Sequence, residues 1–145
     1  MPFKQGYAAY QNTNIKTASQ GKLVVLLYEA AVKNLTSAMT LVDEENQILP
    51  QNIEKFGKLI QKSQAIITEL QVSLDMEKGG EIAKNLMSLY IFFNQELIEV
   101  SIKHDKTKLE YVKNQMNELL AAWRQISSST GNIQPLQTQT LNIES

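Results

Sequence analysis

The chain has a single imidazole, His104, followed directly by Asp105. An imidazole on a helix can accept a phosphoryl group, serve as a general base or ligate a metal. Each use needs companions. A di-iron centre in a helical bundle needs two Glu-x-x-His repeats, but position 101, three before His104, is Ser, and no second histidine exists to complete the set. Cysteine is absent, which removes thiolate metal sites and disulfides. Glu96 and Glu99 form a spaced carboxylate pair, and on a helix such a pair reads as a solvated face. No G-x-S-x-G element, Gly-rich phosphate loop or Ser/His/Asp set can be built. His104 ends an apolar-periodic segment, where positive charge suits a helix C-terminus. No catalytic residue, metal ligand or cofactor is assigned. A phosphotransfer role for His104 is the one reading that would place chemistry in the chain.

The elements that would carry these residues are helical throughout. Residues 1–16 have no sustained period but hold Phe3, Tyr7, Tyr10 and Ile15 among polar neighbours, which reads as an N-terminal arm. Thr17 and Gln20 have the spacing of a capping box. A helix over about 18–43 follows, with Leu23, Leu26, Leu27 and Ala30 on one stripe and Val24, Tyr28, Ala31, Leu35 and Ala38 on another. The polar stretch around 43–50 breaks it, and Pro50 suits the first turn of a second helix over 50–74. There Phe56, Ile60, Ser63, Ile67, Leu70 and Leu74 recur at helical spacing. Gly79-Gly80 makes a sharp corner, and a third helix over 80–104 carries Ile82, Leu86, Leu89, Phe93, Leu97 and Val100. Met87, Tyr90, Ile91, Ile98 and Ile102 spread its apolar character beyond that face. Asp105 or Thr107 can cap a fourth helix over 106–127, striped by Leu109, Val112, Met116, Leu119, Leu120 and Trp123. Residues 128–145 are rich in Ser, Thr, Gln and Asn and read as a disordered tail.

Four helices with short connections pack most simply as an antiparallel up-down four-helix bundle, an all-α fold in one domain. Lys plus Arg is 14 and Asp plus Glu is 15, a balance that argues against nucleic acid as a partner. No apolar run approaches the ~20 residues that span a bilayer, and no secretory pattern opens the chain, so the cytosol is the expected compartment and membrane insertion is not expected. The informative excess is apolar breadth on the first and third helices. Central helices touching several neighbours would explain it. So would a groove left for another chain's amphipathic helix.

The stretch YQNTNIKTASQGKLVVLLYEAA, Tyr10 to Ala31, resembles the opening of the flagellar secretion chaperones, FliS: a tyrosine, a T-A-S-P element, then a leucine-rich helix ending L-Y-D-G-A. SLDMEKGGEIAKNLMSLYIFFNQEL, Ser73 to Leu97, is similar to the second signature of that family, with a leucine, an acid, two glycines, I-A and L-x-x-L-Y. Trp123 matches its closing tryptophan. The resemblance covers about Tyr7 to Ile126. Gln20 stands where the family commonly has proline, Glu29-Ala30 replaces Asp-Gly, and Asn94-Gln95 sits where basic residues are common.

The resemblance implies a cytosolic chaperone that holds the C-terminal region of flagellin, keeps it unpolymerised and leaves it competent for type III export. It implies a groove drawn from matching positions: Tyr7, Tyr10 and Ile15 as a displaceable arm, Leu23, Leu27 and Tyr28 from the first helix, Leu74 from the second, and Ile82, Leu86 and Tyr90 from the third. Whether an anti-sigma factor, a co-chaperone or the export gate also docks is left open by the residues. A structural or signalling bundle without an export client is the alternative reading.

Overall fold

The computed structural model describes residues 17–132, with side chains from 21 to 128. The expected arm, with Tyr7, Tyr10 and Ile15, therefore lies outside the described residues, as do the side chains of the Thr17–Gln20 box and everything beyond 132. Four α-helices make up the body: α1 (Thr17–Met39), α2 (Ile53–Val72), α3 (Gly80–Lys103) and α4 (Lys106–Asn132), with a 3-10 turn at Pro50–Asn52 ahead of α2. Among the described residues the only strand-like pairing is one antiparallel bridge, Val42 to Ile48. The fold is an all-α four-helix bundle.

Each break has a local cause. α1 stops at Met39, short of the expected end near residue 43, because Asp43 Oδ1 accepts the backbone N–H groups of Glu45 and Gln47, each at 2.9 Å. That local turn competes with helix for the same donors. The loop it forms returns to the body: Asn46, at φ 62°, offers Oδ1 to the Lys106 N–H at 2.9 Å and so caps α4 from another part of the chain. Asp105 Oδ1 accepts the Lys108 N–H at 3.1 Å, which makes Asp105 the residue that opens α4. At the other end of the bundle, Asp75 Oδ1 accepts from Glu77 and Lys78, and the chain enters α3 through Gly80 at φ +53°. Of the two glycines, Gly80 carries the left-handed turn, while Gly79 keeps an ordinary φ of −78°. α4 runs to Asn132, past the expected end near 127, since serine and threonine cost a helix only tenths of a kcal/mol each and the first stop signal is Gly131.

The helices form a ring: α1 packs on α2 and α4, and α3 packs on α2 and α4. The rings of Phe56 near the start of α2 and His104 at the end of α3 meet edge-on at 5.5 Å, so α2 and α3 run antiparallel. Lys106 at the start of α4 pairs at 2.9 Å with Glu44, just past the end of α1, and Arg124 further along α4 pairs with Glu29 at 3.0 Å, which sets α4 antiparallel to α1. α1 and α3 face each other across the diagonal. The core between them is filled by Val24, Tyr28, Leu35, Phe56, Ile60, Ile67, Leu70, Tyr90, Phe93, Leu97, Leu109, Met116 and Trp123. Ser63 is the one buried polar residue of the described core, and its hydroxyl donates to the Leu59 carbonyl one turn back.

Candidate docking surface

α3 is apolar over more of its circumference than the core can cover. Ala83, Leu86, Tyr90, Phe93, Leu97 and Val100 face inward. On the flank beside them, Met87, Ile91, Asn94, Ile98 and Ile102 follow each other at three- and four-residue steps, so they share one side of the helix. Ile91 is 42% exposed, Ile98 51% and Ile102 71%. Asn94 donates through Nδ2 to Thr68 Oγ1 of α2 at 3.1 Å, which fixes this flank as the wall of the α2–α3 groove. Asn94 Oδ1 is buried with no hydrogen-bond partner among the described residues.

The facing wall on α2 is uncharged. Gly57, Gln61, Gln64, Thr68 and Gln71 recur on the side that Thr68 turns toward α3. A β-carbon at Gly57 would meet nothing within 4 Å, so the backbone there is open to close approach. One wall of aliphatic side chains opposite one wall of amides and a glycine suits an amphipathic helix or an extended segment.

The opposite flank of α3 faces α4. Phe92 meets Tyr111 edge-on at 6.2 Å, and Glu96 pairs with Lys108 at 3.4 Å. Glu96 thus leans into the helix–helix seam rather than lying on a wet face. Glu99 pairs along the helix with Lys103. α1 contributes a smaller patch, Leu23 at 41% and Leu26 at 60% exposure.

The residues named for the groove from the sequence separate into distinct groups. Leu23 is exposed, and Leu27 and Ile82 are half-buried against the core. Tyr28, Leu74, Leu86 and Tyr90 are buried and line no open surface in this state. The Tyr28 and Tyr90 hydroxyls are 2.6 Å apart, and the Trp123 ring lies 6.3 Å from that of Tyr28. Burial pushes the Tyr28 phenol up to about 12, against the opposing pull of hydrogen bonds with Tyr90 and Trp123. Ile91, Ile98 and Ile102, the most open apolar positions on α3, were absent from that set. Their signal was present as apolar character off the main face.

The lone histidine takes a structural position. His104 sits at φ 57°, donates its N–H to the Val100 carbonyl at 2.8 Å and is half-buried against Phe56. It therefore ends α3 in the left-handed conformation, not on an exposed mid-helix face. Among the described residues, no three His, Asp or Glu side chains gather as a metal site would require, and no helix is long and apolar enough to cross a membrane.

Residues 3–130 match the family described as Flagellar protein FliS. The chain is 31% identical over 122 residues to the flagellar secretion chaperone FliS of Vibrio cholerae, covering 84% of this chain and 85% of the relative. It is 30% identical over 137 residues to that of Escherichia coli, covering 90% and 95%. Against that of Salmonella typhimurium it is 29% identical over 127 residues, covering 84% and 90%.

Proposed function

The chain belongs to the FliS family of flagellar secretion chaperones, and from that premise we propose that it holds the disordered C-terminal segment of flagellin in the bacterial cytosol. The segment lies along the α2–α3 groove, which keeps flagellin unpolymerised and competent for type III export. The observation that carries this reading is the stripe Ile91–Ile98–Ile102, left in water on a helix whose opposite face already fills the core. Burying such surface gains roughly 25 cal/mol per Å² of apolar area, less the cost of ordering the incoming segment.

The physical task is masking. An amphipathic segment that becomes helical only on assembly will pair with its own kind at high concentration. A groove of matched width gives it equivalent burial in a one-to-one complex, with no covalent step and no nucleotide. Ile82 adds a half-buried contact on the α4-facing flank of α3, while Leu23 and Leu27 extend the accessible apolar surface toward the end of the bundle where α1 begins. Tyr7, Tyr10 and Ile15 of the arm are proposed to cover it when no client is present. Tyr28, Leu74, Leu86 and Tyr90 hold the helices at the spacing the groove needs.

Calorimetry of the full chain with a synthetic flagellin C-terminal peptide tests this directly. The expected result is one-to-one binding with a negative heat-capacity change. Binding should be lost in Ile98→Asp. Peptide binding by that variant at wild-type affinity would remove the α2–α3 groove from the reading, and no binding by the wild-type chain would remove the client.

A further inference from the structure

We propose that Asn94 sets the specificity and register of the α2–α3 groove, its carboxamide taking a hydrogen bond from a donor that interrupts the apolar stripe of the bound segment. This rests on the reading of that groove as the client seat, and it defines which amphipathic segments the seat accepts.

The α3 wall of the groove is apolar except at one place. Met87, Ile91, Ile98 and Ile102 line it, and Asn94 stands between the inner two. Asn94 Nδ2 donates across the groove to Thr68 Oγ1 at 3.1 Å. The other half of the same amide, Oδ1, is out of contact with water and accepts from no donor among the described residues. No other side-chain nitrogen or oxygen of the described residues is in that condition.

A buried carbonyl oxygen without a donor carries its desolvation penalty in full, and native structures tolerate few such atoms. Leucine at this position would have continued the stripe with no such penalty. An amide kept there lowers stability and adds selection, as a single asparagine in the apolar seam of a coiled coil does.

The oxygen has a short way out. The amide is tied by one hydrogen bond to a threonine that is itself exposed, so Thr68 can exchange it for water. Asn94 as a whole is half-buried, and rotation about χ1 and χ2 turns Oδ1 toward the groove. Docking then pairs an atom that has no partner in the free chain. That gain is made only with a client that brings a donor to this point. An aliphatic side chain in the same place leaves the oxygen as it was.

The spacing defines the client. Ile91 and Ile98 are seven residues apart, two turns and about 10.5 Å along α3. A helix lying in the groove meets them with apolar side chains at i and i+7, and meets Asn94 with the side chain at i+3 or i+4. The class that fits is an amphipathic segment with one Asn, Gln, Ser or Thr midway along its apolar stripe. Lysine or arginine there would leave water with no carboxylate among the wall residues to pair with. A slip of one turn sets the donor against an isoleucine and an apolar side chain against the amide, which fixes the register.

Calorimetry with the full chain and a synthetic flagellin C-terminal peptide tests this. Each Asn, Gln, Ser and Thr of the peptide is replaced singly by Leu, Met, Ala or Val. Every peptide is titrated into the wild type and into Asn94→Leu. One replacement should weaken binding to the wild type about fivefold or more, the size of one hydrogen bond, and leave binding to Asn94→Leu unchanged. Asn94→Ala should give the same pattern, which covers the case of leucine disturbing the fold. If Ile98→Asp abolishes binding while every replacement shifts the wild type and both variants by the same factor, the groove stands and the role of Asn94 is overturned. Binding undisturbed by Ile98→Asp, or no binding by the wild type, would remove the client seat and Asn94 with it.

Discussion

The hydroxyls of Tyr28 on α1 and Tyr90 on α3 lie 2.6 Å apart at the centre of the bundle, joining the two helices that otherwise face each other only across the diagonal. Both rings are fully buried. Removing one hydroxyl of the pair loses one hydrogen bond, about 0.5–1.5 kcal/mol, because Trp123 remains a partner of the Tyr28 hydroxyl. Tyr28→Phe and Tyr90→Phe should each destabilise the chain by about that amount. The double variant should cost less than the sum, with a coupling of at least ~0.5 kcal/mol. Urea unfolding of the four proteins measures it, and additive losses would mean that the pair does not act as a unit.

The same pair sets an alkaline limit. The Tyr28 phenol sits at about 12 in the folded chain, against an ordinary value of 10.0. A folded-state value raised above the unfolded one contributes stability that is fully present below pH 10 and is lost as pH climbs toward 12. Two units correspond to ~3 kcal/mol at most. The stability margin of the wild-type chain over Tyr28→Phe should therefore be constant from pH 7 to 9 and shrink between pH 10 and 12. A margin that holds flat to pH 12 would argue against a buried phenol at this site.

Surface and core substitutions on α3 should separate cleanly. Ile98→Asp and Ile91→Asp alter side chains that are about half in water, so circular dichroism and unfolding midpoints should change little. Peptide affinity should fall tenfold or more, since a carboxylate would enter an apolar contact. Leu86→Asp and Tyr90→Asp place a charge in the core and should unfold the chain or weaken it by several kcal/mol. Loss of binding in the second pair would report folding, whereas loss in the first reports the groove.

Two glycines should respond in opposite directions to alanine. Gly80, at φ +53°, holds a conformation that costs an L side chain roughly 1 kcal/mol or more, so Gly80→Ala should lower stability by about that amount. Gly57 lies inside α2 with open space where a β-carbon would go, and Gly57→Ala should raise stability by about 0.5–1 kcal/mol. Thermal denaturation of both variants checks the signs. A stabilised Gly80→Ala would mean that the α2–α3 corner does not need its left-handed residue.

The sequence by itself determined the bundle. The 3.6-residue periods between Thr17 and Ile126, the proline at residue 50, the glycine corner and the polar break after α1 are local signals, and each marks an element that forms. It also carried the family, because the motifs from Tyr10 to Ala31 and from Ser73 to Leu97 are contiguous in the chain. Where α1 and α4 end was less legible, since Asp43 acts by a side-chain turn and α4 runs through weak helix formers until Gly131.

Only the tertiary structure decided which apolar residues face out. A helical period gives the angle of a side chain about its own axis, not which angles a neighbouring helix will cover. Tyr90 and Ile91 are adjacent in sequence and similar in hydrophobic size, yet the diagonal partner Tyr28 takes one inward while the α2–α3 groove leaves the other in water. Glu96 reads as a surface carboxylate until Lys108 arrives from α4. The surface proposed to bind flagellin is thus a remainder, set by where three helices close around α3 and where they stop.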